Sequence, residues 1–182
     1  MRRSFPIIVA VTLVLSLFAA RPAVAGGGPD KVFAGKILTS DKKFPSYAKS
    51  QAAYTAALRK QNKANFWEDK AKKSWRIYFA AFFKKGLTDI EVVVKLYDIN
   101  SSPKALIGSF EQYVEQRGQT ALLSNITLER EQIGVNRSVL MVIEVGGRPV
   151  ASGKFKLLGE VERHSGKVDF TEDDTRKGDD DE

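Results

Sequence analysis

The chain has 182 residues, no cysteine, one histidine and a formal charge of +7 from 29 basic and 22 acidic side chains. With 43% hydrophobic and 10% aromatic residues it can fill a core, which excludes a wholly disordered protein, and its length suits one domain. The missing cysteine excludes disulfides, thiol catalysis and the common thiolate sites for zinc and iron–sulfur clusters.

Residues 1–25 read as an export signal. Arg2 and Arg3 form a positive start, Ile7 to Ala20 an apolar stretch, and Ala23-Val24-Ala25 a small-x-small cleavage site. The apolar run is shorter than the ~20 residues of a usual membrane span. The expected product is a periplasmic or secreted protein that begins at Gly26 and does not span a membrane. Gly26-Gly27-Gly28-Pro29 reads as part of a flexible leader, 26–30, because no strand, helix or Lys-Ser/Thr pair surrounds the glycines as a phosphate loop would require.

The charge is unevenly spread. Residues 30–85 hold 14 basic against 4 acidic side chains, residues 86–170 hold 10 against 11, and residues 171–182 hold 2 against 7.

The domain proper is expected at 31–160. A first short strand is read at 31–39. Residues 46–73 are rich in Ala, Lys, Gln and Asn without interior proline or glycine, which predicts helix, with Ser46 as its cap and Tyr47, Gln51, Tyr54 and Leu58 on one face. Asn62 and Asn65 are the points at which that helix can break. From Trp75 onward the pattern is strand: WRIYFAAFF is apolar on both faces, and alternating rows continue through Val92, Val94 and Leu96, then Gly108 and Phe110, then Leu122 to Leu128. Val139, Met141 and Ile143, and finally Ala151, Phe155 and Leu157, complete the series. Strand starts near 75, 89, 105, 121, 135 and 148, with Gly146-Gly147 as a hairpin turn, give about seven strands. Regular strands without intervening helices predict a mainly β fold, with α+β as the alternative. The expected form is an antiparallel, immunoglobulin-like sandwich with a helical insertion, 46–73, between its first two strands. A single open sheet would leave Val93, Leu140 and Val142 facing water, which favours two packed layers or one sheet covered by the helix. The tail, 161–182, is acidic and its last twelve residues lack any apolar side chain, so disorder is expected, with weak calcium binding or folding back on the basic segment as alternatives.

The chemistry is sparse. His164 stands at the border of domain and tail, a poor place for an organised base. Glu68, Asp69, Asp89, Glu91, Asp98, Glu111, Glu115, Glu129, Glu131 and Glu144 are the carboxylates a hydrolase would have to use, and none forms a recognisable pair. Asn125-Ile126-Thr127 and Asn136-Arg137-Ser138 match the glycosylation triplet but fall in predicted strands. No cofactor or metal is expected. The sharpest feature is cations interleaved with aromatics. Lys63, Trp67, Lys70, Lys72, Lys73, Lys84 and Lys85 are the candidate contacts to an anionic partner, whereas Trp75, Phe79 and Phe66 or Trp67 also suit a core.

These features predict a non-enzymatic exported binding or structural module. Its partner would be an envelope protein, anionic lipid or polysaccharide, not nucleic acid, met through sheet edges and the basic segment. The alternatives are a carrier of an apolar molecule lined by Ile77, Phe79, Val92, Val94, Phe110, Met141 and Phe155, and a carboxylate-dependent hydrolase.

Overall fold

The computed structural model describes residues 27–160. The export signal, His164 and the acidic tail lie outside the described residues. Pro29 opens a helical turn, α1 (Pro29–Val32), at a position where its missing N–H goes unneeded, and its ring is buried. The first strand, β1 (Lys36–Ser40), therefore starts later than its apolar pattern suggests.

Helix α2 (Gln51–Gln61) is capped by Ser50, whose Oγ accepts the Ala53 N–H at 3.1 Å; Tyr47 precedes the helix and is exposed. Leu58 and Thr55 are its buried residues. The helix is shorter than 46–73 because Asn62 turns extended and its Oδ1 accepts the Thr39 N–H at 3.0 Å, tying the chain to β1. The chain then enters a short strand, β2 (Asn65–Trp67). Six long strands come next: β3 (Ser74–Phe82), β4 (Glu91–Asp98), β5 (Ala105–Tyr113), β6 (Ala121–Glu129), β7 (Arg137–Val145) and β8 (Arg148–Leu158), with a helical turn, α3 (Arg130–Ile133), after β6. Gly146 and Gly147 make the β7–β8 turn at φ 54° and 76°, the left-handed pair that a two-residue hairpin needs.

The fold is mainly β, but the strands form one curled mixed sheet, a half-barrel, in place of two facing antiparallel sheets. The order is β5-β4-β7-β8-β1-β3-β6, with β2 also beside β8. Neighbours are antiparallel except β1 with β8 and β2 with β8. Register shifts in β4–β5 at Leu96/Tyr97 and in β7–β8 at Ile143/Glu144 add local twist, which helps the sheet to curl. The two outermost strands come within reach of each other, Ser124 Oγ of β6 donating to Gln112 Oε1 of β5 at 2.7 Å. An inward row alternating with an outward one fits a sandwich and a curled sheet equally, so the alternation alone could not separate them.

The inner face is the main core. Trp75, Ile77 and Phe79 of β3 meet Val92, Val94 and Leu96 of β4, Met141 and Ile143 of β7 and Phe155 of β8. Trp75 is 1% exposed and donates its indole N–H to the Leu158 carbonyl at 3.0 Å. Phe66 enters the same core edge-on to Phe155, with ring centres 5.7 Å apart. A second, smaller cluster lies on the outer face, where Phe33, Phe44 and Leu58 cover Leu38, Ala80 and Phe82 of β1 and β3. The helices thus cover only part of the outer face. On the part made by β4 and β7, Val93, Leu140 and Val142 are half-buried, with Val142 opposite Lys95 and Leu140 opposite Tyr97 and Lys154, whose long side chains can shield them.

Candidate functional site

Strand β3 decides where the candidate cations go. Trp67, Lys70, Lys72 and Lys73 lie near its first residue and Lys84 and Lys85 follow its last, whereas Lys63 stands beside β1, its N–H donating to the carbonyl of Thr39, which is opposite Phe79 within β3. Nine extended residues separate the groups by roughly 25 Å. The basic segment that is continuous in sequence is therefore two groups at opposite ends of the half-barrel.

Lys63 beside β1 and the cations at the first end have acids. Lys63 Nζ lies 2.6 Å from Asp41 Oδ2, Lys70 pairs with Glu160, and Lys72 stands 3.8 Å from Asp69. The hydrogen bond from Lys63 holds the Asp41 carboxyl below its ordinary pKa, and the one from Lys70 does the same for Glu160. Lys72 and Lys73 share a shallow cleft of about 300 Å³ with Glu129 and Glu131, so its charge is mixed. Trp67, 74% exposed, points away from the core that Phe66 enters.

The second end differs. A cleft of about 570 Å³ opens there between the loop after β3 and the β7–β8 hairpin. Lys84, Lys85 and Arg148 line it with the hydroxyl residues Thr88 and Ser152, and no carboxylate is among its lining residues. The nearest acid in the loop, Asp89, turns its Oδ1 to the N–H of Ile90 at 2.8 Å. Among the described residues no acid forms an ion pair with Lys84, Lys85 or Arg148. The register shift in the hairpin falls on Val150, at the edge of this cleft.

Arg148 is the residue that sequence reasoning missed. Its signal was available: with strands running alternately up and down from β3, the end of β3 and the β7–β8 turn share one end of the sheet.

The other candidate chemistries place differently. Ile77, Phe79, Val92, Val94, Met141 and Phe155 belong to the packed core, Phe110 packs against it, and none lines either cleft. Of the carboxylates, Glu68 is held by Arg130, Asp98 by Arg137 at 2.9 Å and Glu144 by Lys95 at 2.7 Å. That last hydrogen bond raises the Lys95 pKa above its ordinary value. Among the described residues no three His, Asp or Glu side chains group as a metal site, and no helix is long and apolar enough to cross a membrane. No protein-family model matches the chain, and a search of curated proteins returns no significant match.

Proposed function

We propose that the protein is an exported, non-enzymatic binding module of the cell envelope that takes an anionic partner in the cleft between Lys84, Lys85 and Arg148. The observation that carries this reading is a contrast in pairing: three cations line one cleft without a carboxylate among them, while Lys63 beside β1 and Lys70 and Lys72 at the other end face acids. Cations already paired offer a partner little net field; clustered unpaired ones concentrate it. Export is supported by the pattern of residues 1–25.

The test compares two triple variants for retention on an immobilised sulfated polysaccharide over a salt gradient. Lys84→Gln/Lys85→Gln/Arg148→Gln should weaken binding roughly tenfold, three exposed contacts at about 0.5 kcal/mol each. Lys63→Gln/Lys70→Gln/Lys72→Gln should change it far less. Equal losses in the two variants, or a greater loss in the second, would overturn the reading.

A further inference from the structure

We propose that the occupant of the cationic cleft is a free anionic amphiphile, a small molecule with a phosphate or carboxylate head and a short apolar chain. This rests on the binding reading above and adds the ligand class. The cleft volume, about 570 Å³, falls in the range of small-molecule sites. Its walls are of two kinds. Lys84, Lys85 and Arg148 supply the charge, and Arg148 offers the planar fork that matches phosphate or carboxylate. The same cleft is lined by Val145, Pro149 and Val150, exposed or half-buried, and by Phe83 and Leu87, which are buried. A polyanion would meet the three cations but leave the apolar lining of the cleft uncovered. One charged head joined to one chain satisfies both walls.

The lysine-bearing loop is also held in place before any ligand arrives. Phe83 N–H donates to the Thr120 carbonyl at 2.8 Å, Leu87 N–H to the Gln119 carbonyl at 3.1 Å, and Gly118 N–H to the Leu87 carbonyl at 2.7 Å. At Gly86 the backbone comes so close that a Cβ there would stand 2.5 Å from the Gly118 carbonyl oxygen. A loop fixed in this way loses little entropy on binding.

Titration calorimetry on the intact protein, with each compound below its micellar concentration, would test this using octyl phosphate, butyl phosphate, octyl glucoside and phosphatidylglycerol vesicles. Each added methylene is worth about fourfold when fully buried, so octyl phosphate should bind at least tenfold more tightly than butyl phosphate in this open cleft. Octyl glucoside should bind at least tenfold more weakly than octyl phosphate, and Lys84→Gln/Arg148→Gln should remove most of that preference for charge. Equal affinity for the two phosphates overturns the amphiphile inference and leaves the anion reading standing. Binding to vesicles but not to free octyl phosphate does the same. Equal affinity for octyl phosphate and octyl glucoside, together with polysaccharide retention that is indifferent to the cleft cations, overturns both.

Discussion

At the scale of single residues, the charged groups that matter for stability are those withdrawn from water. The Glu68 side chain is 4% exposed, and both its oxygens accept from Arg130 Nη1, at 3.0 and 3.2 Å. Removing the guanidinium strands a buried carboxylate. Arg130→Met should therefore destabilise the protein by about 3 kcal/mol in urea unfolding, and adding Glu68→Gln should recover a large part of the loss. An unchanged midpoint for Arg130→Met would refute the assignment. The Asp41–Lys63 pair is the opposite case, because both groups are largely exposed. The folded-state pKa of Asp41 is lowered, first by the Lys63 hydrogen bond, so its contribution is present at neutral pH. It is lost as the pH falls below about 4, where the carboxylate takes up its proton. Wild type should exceed Asp41→Asn by under about 1 kcal/mol at pH 7, with the gap in Tm closing below about pH 4. A gap that stays constant into acid would show that the side chain acts by something other than its charge.

At the scale of elements, the long strands were legible because each carries its own alternation, and all six observed starts fall within two residues of the expected ones. The hairpin at Gly146-Gly147 was legible for the same reason: its cause is local. Strand β2 was not, since its three residues are held by pairing with Lys156, Leu157 and Leu158, far along the chain. The end of α2 was likewise set from outside, by the bond between Asn62 and β1. Another such distant constraint joins β1 to β8. A Cβ on Gly153 would stand 2.5 Å from the Ile37 carbonyl oxygen, so only glycine lets the two strands approach. Gly153→Ala should cost about 1–3 kcal/mol by forcing them apart. Gly108→Ala, whose Cβ would meet Leu96 at an ordinary 3.6 Å, is the control and should cost less in the same denaturation series. Equal costs would mean that the approach at Gly153 has slack.

At the scale of the whole molecule, the candidate site was half legible. Lys84 and Lys85 stood out as cations beside aromatics, yet composition could not show that β3 carries them roughly 25 Å from Lys70 and Lys72. Arg148 joins them only through the up-and-down course of the chain. The sheet order has a further consequence. Strand β8 is the last of the described strands along the chain but sits in the middle of the sheet, with β7 on one side and β1 and β2 on the other. It is the piece that connects the part built from β4, β5 and β7 to the part built from β1, β3 and β6. Without β8 the described strands would form two separate sheets, each with an open edge where β8 now pairs. The sheet is thus continuous only once the last of the described strands is in its place.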